Sequence, residues 1–168
     1  ERRRNAVTPS LENHAAVLDL LARWVEQGWL RPLDRALTAF LGQQCPEADP
    51  VALLLTALAS HQAGRGHVCL DLAATAGDAD GALGLAPADS RPVTDEAEPP
   101  RPSDCLPTRV ADLAAALGDS RLAGPGAGTT PLVLEGPPES PRLYLRRYRQ
   151  AEVAIAEAVT ARSRSTDE

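Results

Sequence analysis

A mainly helical α+β domain with a small antiparallel sheet is the architecture this sequence predicts. Three observations carry that reading. Apolar residues recur at steps of three and four from Leu11 to Leu58 and again from Val110 to Leu117, which is the spacing of one helical stripe. Two β-type runs, Leu132-Val133-Leu134 and Leu143-Tyr144-Leu145, flank a segment rich in Gly, Pro and Ser, the pattern of a hairpin with a long loop. The length of 168 residues suits one domain, and its core must be aliphatic, because the chain has one Phe, two Trp and two Tyr.

Residues 1–10 are polar and read as a flexible end, so the domain is expected over 11–162. Leu11, Ala15, Leu18, Ala22, Val25 and Trp29 form the apolar stripe of a first helix, with Gly28 as its stop and Arg31-Pro32 as a turn. Leu33, Leu37, Phe40 and Leu41 are the expected buried face of a second helix. The third has a defined start: Asp49 suits an N-cap, and Pro50 at the first helical position loses no hydrogen bond. Val51, Leu54, Leu55 and Leu58 supply its face, and Gly64 and Gly66 end it.

His67-Val68-Cys69-Leu70 is a short apolar run after glycines and reads as a strand that could join the sheet. Val68 and Leu70 would then share one face and His67 and Cys69 the other. Asp71 is placed to cap a small helix running to Ala76. Residues 86–107 hold six prolines among acidic and polar side chains. That composition buries too little to offset its ordering entropy, so the segment reads as a flexible insertion. Val110, Leu113, Ala114 and Leu117 make another amphipathic helix, closed by Gly118. The hairpin pairs 132–135 with 142–146. Tyr148, Ala151, Ile155 and Ala158 mark a C-terminal helix, with 163–168 as a frayed tail.

All 17 basic residues are arginine. A P-loop nucleotidase needs a lysine for the β- and γ-phosphates, and a Schiff-base enzyme needs a lysine amine; both chemistries are excluded for these residues. The net charge of −6 argues against a free-standing, non-specific nucleic-acid binder. The charge is uneven: residues 78–104 carry seven acids and two bases, whereas 142–151 carry four arginines and no acid. Three unpaired-looking cysteines, Cys45, Cys69 and Cys105, point to a reducing, cytoplasmic setting. No apolar run approaches a membrane span. The chain opens at Glu1 without an initiator Met and reads as a fragment or partial gene product.

Candidate chemistry is sparse. Ala123-Gly-Pro-Gly-Ala-Gly-Thr-Thr130 has the glycines of a phosphate loop, but Thr129 stands where lysine belongs and Pro131 with a strand follows. It reads as a glycine-rich turn. His61, His67 and Cys69, with Cys45 or Cys105, lack the paired spacing of a structural zinc site. Nucleophilic catalysis by Cys69 would need His67 or His61 as base and an orienting acid that nothing fixes. The cluster Arg142, Arg146, Arg147 and Arg149, with Tyr144 and Tyr148 interleaved, fits phosphate and base contacts, a protein interface or a solvated edge.

Two blocks stand out: Gly66-His67-Val68-Cys69-Leu70 and Leu143-Tyr144-Leu145-Arg146-Arg147-Tyr148. With Trp29-Leu-Arg-Pro-Leu-Asp34, Ala57-Leu-Ala-Ser-His61 and Pro131-Leu-Val-Leu-Glu-Gly136 in this order, the chain resembles, over about 17–160, the N-terminal domain of RecD. RecD is the alpha subunit of exodeoxyribonuclease V, a RecBCD-type helicase–nuclease. The resemblance implies a non-catalytic docking domain of a 5′→3′ DNA helicase acting in double-strand-break repair and recombination. The implied partners are a RecC-like gamma subunit and, through it, a RecB-like subunit, with DNA touched only weakly. ATP and Mg are implied only for a helicase motor outside these residues; no cofactor is expected here. The alternative is a stand-alone winged-helix-like DNA-binding regulator with 132–146 as its wing, although the helix before that wing sets Arg109 against Asp112 and suits groove entry poorly.

Overall fold

The computed structural model describes residues 11–86, 98–118 and 120–165. Three helices build the centre: α1 (His14–Glu26), α2 (Pro32–Gln44) and α3 (Pro50–Gly64). Asn13 caps α1 by accepting from the Ala16 N–H, and Gly28, at φ 75°, lets the chain leave it. Asp49 caps α3 through the Val51 N–H with Pro50 at the first helical position, as the sequence predicts. α3 is buried on every side from Ala52 to Ser60, so it is the axis around which the rest packs.

The stripes read in the sequence for α1 and α2 are borne out in part: Leu41 is in the core, and Leu11, Leu18, Val25, Trp29 and Leu37 pack against it partly buried. α1 turns Val17, Leu20, Leu21 and Trp24 inward and leaves Ala15 exposed. The stripe carrying Trp24 lies deepest, and Leu18 and Val25 pack at its edge. In α2 the inward residues are Asp34, Thr38, Leu41 and Gly42, while Leu33 is 62% and Phe40 57% exposed. Hydrogen bonding of the Asp34 carboxylate sets that helix's rotation.

β1 (Leu70–Asp71), β2 (Ala123–Gly124), β3 (Leu132–Glu135) and β4 (Arg142–Leu145) form one mixed sheet in the order β1-β4-β3-β2. β3 and β4 are the antiparallel hairpin, in register Leu132 with Leu145 and Glu135 with Arg142. β4 stops at Leu145 and Arg146 begins a helix, one residue short of the expected 142–146. β1 joins β4 antiparallel but is shorter and later than the expected 67–70. Val68 is 48% exposed rather than sharing a face with buried Leu70, because the chain is still leaving α3 through a turn at Gly66. β2 pairs parallel to β3 and comes from the glycine-rich segment, where no strand was expected.

α4 (Leu72–Gly77) is capped by Asp71, whose carboxylate accepts from the Ala74 N–H. A 3-10 turn (Asp80–Leu83), α5 (Pro102–Cys105) and α6 (Val110–Gly118) follow, and α6 buries Leu113 and Leu117. Leu132 and Leu143 belong to the aliphatic core. Val133 and Tyr144, paired on the hairpin, face away from it towards α7 (Arg146–Ser165). α7 extends past the expected boundary at 162, and its Ile155 and Ala158 are exposed rather than packed.

Within the segment expected to be a flexible insertion, 87–97 lie outside the described residues, whereas 98–107 are seated on the core. The indole Nε1–H of Trp24 donates to the Pro100 carbonyl at 2.7 Å, and the Arg101 guanidinium lies over Trp29, 5.7 Å from the ring centre. Proline content hid these anchors, since the partners are 72 or more residues away in sequence. Trp24→Phe keeps the ring but removes the donor. It should lower stability by about 1 kcal/mol and raise proteolysis between 98 and 107, both readable from chemical denaturation and limited digestion.

Candidate functional site

Two clusters of buried charge hold the helical half together. In the first, Asp34 has no solvent exposure and its Oδ1 accepts from Arg31 Nη2 at 2.6 Å and from Ser60 Oγ at 2.7 Å. Oδ2 accepts from the Arg31 backbone N–H at 3.0 Å and from Nε at 3.2 Å, and His61 Nδ1 lies 3.5 Å away. Arg31 also donates to the Ser60 carbonyl at 3.0 Å. A Cβ on Gly64 would fall on the Arg31 guanidinium, so glycine there leaves room for the cluster. Burial by itself would raise the Asp34 pKa; the close His61 ring and the hydrogen bonds from Arg31 and Ser60 outweigh it and hold the carboxyl well below its usual range.

The second cluster repeats the local pattern. Arg31-Pro32-Leu33-Asp34 and Arg101-Pro102-Ser103-Asp104 each place proline at the helix start and an aspartate that accepts from the arginine's own N–H. Arg101, 5% exposed, donates to the Ala86 carbonyl at 3.0 Å, reaches Glu98 at 3.4 Å and lies 3.9 Å from Asp80. Asp80 in turn accepts from the Ser103 N–H. Sequence reading singled out neither cluster as such; proline at the first helical position with aspartate two residues later was the signal available.

The two motif blocks meet in the sheet, where Leu70 pairs with Leu143. Leu70, Leu143 and Tyr144 are buried and Leu145 half-buried. Gly66 forms the turn at φ 90°, His67 and Val68 are exposed, and Cys69 is half-buried. Arg147 is exposed in the first turn of α7; the side chains of Tyr148 and Arg149 lie outside the described residues. Arg146 is bound to the glycine-rich turn. Its guanidinium donates to the carbonyls of Gly126 at 2.8 Å and Pro125 at 3.0 Å, to the Thr130 hydroxyl at 3.0 Å and to the Thr130 carbonyl. A phosphate cradle offers N–H groups to an anion; this turn offers oxygens to a cation.

The remaining candidates do not assemble. Among the described residues, no three His, Cys, Asp or Glu side chains are grouped to hold a metal. Burial, then the Asp104 and Asp80 carboxylates, push the Cys105 thiol up to about 12. Burial and Glu47 also raise Cys45. Neither thiol is activated as a nucleophile. The hairpin strands are both interior to the sheet, where a wing would project from it, and α6 turns Leu113 and Leu117 to the core. Among the described residues, no helix is long and apolar enough to cross a membrane.

Fold and clusters define a helical module clasped to a small mixed sheet, with its buried charges tying elements together. Residues 26–144 match the family described as RecBCD enzyme subunit RecD, N-terminal domain, and the chain belongs to that family. No curated protein matches the chain.

Asp34→Ala should destabilise the fold by about 3–5 kcal/mol, because it leaves Arg31 and Ser60 donors without their acceptor. The Asp34 carboxyl pKa is depressed on folding, so its contribution is complete above the unfolded value of about 4 and is lost as pH falls below it. Denaturation measured between neutral pH and pH 3 should show that loss in the wild type and a flatter profile in the variant. Arg146→Ala should release the 125–130 turn and cost about 2 kcal/mol, visible as faster amide exchange confined to that turn.

Proposed function

We propose that this chain is the non-catalytic docking domain of a RecD subunit, seated chiefly on a RecC-like gamma subunit and through it linked to a RecB-like subunit. The parent assembly would be a cytoplasmic, ATP-dependent helicase–nuclease of double-strand-break repair and recombination, with the RecD subunit moving 5′→3′. ATP and Mg are assigned to a motor domain and not to these residues. The observation that carries the reading is the outward apolar stripe of α2. Leu33 and Phe40 are large and exposed, while Asp34 and Thr38 of the same helix are turned inward. A stable fold that leaves such residues in water is supported best by a partner that covers them.

The purified chain should neither bind nor hydrolyse ATP, with or without DNA, since it has no lysine. It should capture the gamma subunit of its own organism at physiological salt. Duplex DNA binding at low salt should be weak and fall steeply as salt rises. Tight, sequence-selective DNA binding without a partner would overturn the docking reading.

A further inference from the structure

We infer that the cleft between α2, the C-terminal part of α3, the end of β4 and the first turn of α7 is the groove that receives the partner, and that it takes an aliphatic segment ending in carboxylates. This rests on the docking reading and adds to it a surface and the chemistry of the occupant. The cleft has a volume of about 520 Å³. Its walls include Leu33, Leu37 and Leu41 from α2 and Leu145 from β4, with Pro131 between them.

Charge selects the occupant. Among the described residues, the charged ones lining the cleft are all arginines (Arg31, Arg146 and Arg147) and none is a carboxylate, in a chain whose net charge is −6. Arg31 is balanced by Asp34 beneath it. The hydrogen-bond partners described above for Arg146 are neutral carbonyls and a hydroxyl, so they orient its guanidinium without cancelling its charge. The first turn of α7 contains no acid, and the helix dipole there has the same positive sign. A basic segment laid on the leucines would set like charge against Arg146, and a neutral one would bring it no counter-charge. Aliphatic side chains at helical spacing, followed by Asp or Glu where the segment reaches α7, satisfy both the walls and the rim.

Gln150 lines the same cleft and is exposed and uncharged, which allows the charge to be altered without removing an arginine. Binding of the full chain to the gamma subunit should be titrated for the wild type, Leu33→Ser, Gln150→Glu and Gln150→Arg, with circular dichroism melts confirming the fold. Leu33→Ser and Gln150→Glu should each weaken binding about fivefold, and Gln150→Arg should tighten it. If all three variants bind as the wild type does, the groove is not the dock, while the docking reading stands. If the two Gln150 variants change nothing and only Leu33→Ser weakens binding, the acidic occupant is wrong. A wild type that fails to bind the gamma subunit removes the docking reading and this groove with it. Self-association lost in Leu33→Ser with gamma binding intact would identify a second copy as the occupant and overturn the proposal.

Discussion

A carboxylate sealed from water cannot be left to chance, and the position of Asp34 governs the arrangement of the helical half. The penalty for burying it is offset only when Arg31 folds back and Ser60 points across from α3. Those two requirements fix α2 both along its axis and in rotation about it. Once Asp34 and Thr38 face α3, Leu33 and Phe40 cannot also face it, because they lie about 100–160° away around an ideal helix on the basis of about 3.6 residues per turn. The outward stripe is therefore a consequence of the buried charge. Core and exposed surface are coupled through one residue: a change that frees α2 to rotate would improve its own burial and remove the surface that the docking reading depends on.

The aromatic side chains are few, and both tryptophans serve one junction. Trp24 is fully buried in the last turn of α1, and its single polar atom is satisfied by the Pro100 carbonyl. Trp29, just beyond the helix, lies beneath the Arg101 guanidinium. An aliphatic core offers little directional preference, since leucines can repack in many ways. Directional bonds at the periphery supply what the core lacks. Arg31 orients α2 on α3, and Arg101 holds segment 98–106 on α1 and the 3-10 turn. The repeated Arg-Pro-x-Asp arrangement does this economically: proline fixes the helix start, aspartate caps it, and the arginine side chain is left to reach a distant element.

Local rules were legible in this sequence and rotational choices were not. Asp49-Pro50, Asp71 and Gly28 announced their caps and stop, and the hairpin at 132–145 was plain, because each depends on residues within a few positions of one another. The α1 stripe read in the sequence lies at the edge of the buried face, which centres on Leu20, Leu21 and Trp24, since alanine and leucine populate more than one face of that helix and only the packing of α3 decides its centre. In α2 the expected face holds at Leu37 and Leu41 and fails at Leu33 and Phe40; the cue that Asp34 required partners lay in Ser60 and His61, distant in sequence. β1 began later than expected because the turn at Gly66 carries the chain through His67 and Val68 before it reaches β4. Segment 98–107 had the composition of a linker and the contacts of a core element. The meeting of the two motif blocks through Leu70 and Leu143 was likewise invisible to spacing, since β1 and β4 are far apart in the chain.

The glycine-rich turn shows why composition alone is a weak guide to chemistry. Glycine removes side-chain obstruction and lets backbone groups converge, but it does not determine which groups do so. In a phosphate loop the N–H groups converge, and a helix dipole behind them adds positive potential. Between Pro125 and Thr130 the carbonyls and a hydroxyl converge instead, and Arg146, the first residue of α7, fills the space they enclose. The preceding residues Ala123 and Gly124 pair with β3, so the turn is held at both ends, by a strand and by a cation. An anion placed there would have to displace Arg146 and would then meet oxygens. The polarity of the turn follows from what comes next in the chain: a strand and then an arginine-led helix, where a nucleotide-binding loop would run directly into a helix. The same arginine presents its charge to the cleft beside α2, which makes the turn a support for that surface and gives it no need of a ligand of its own.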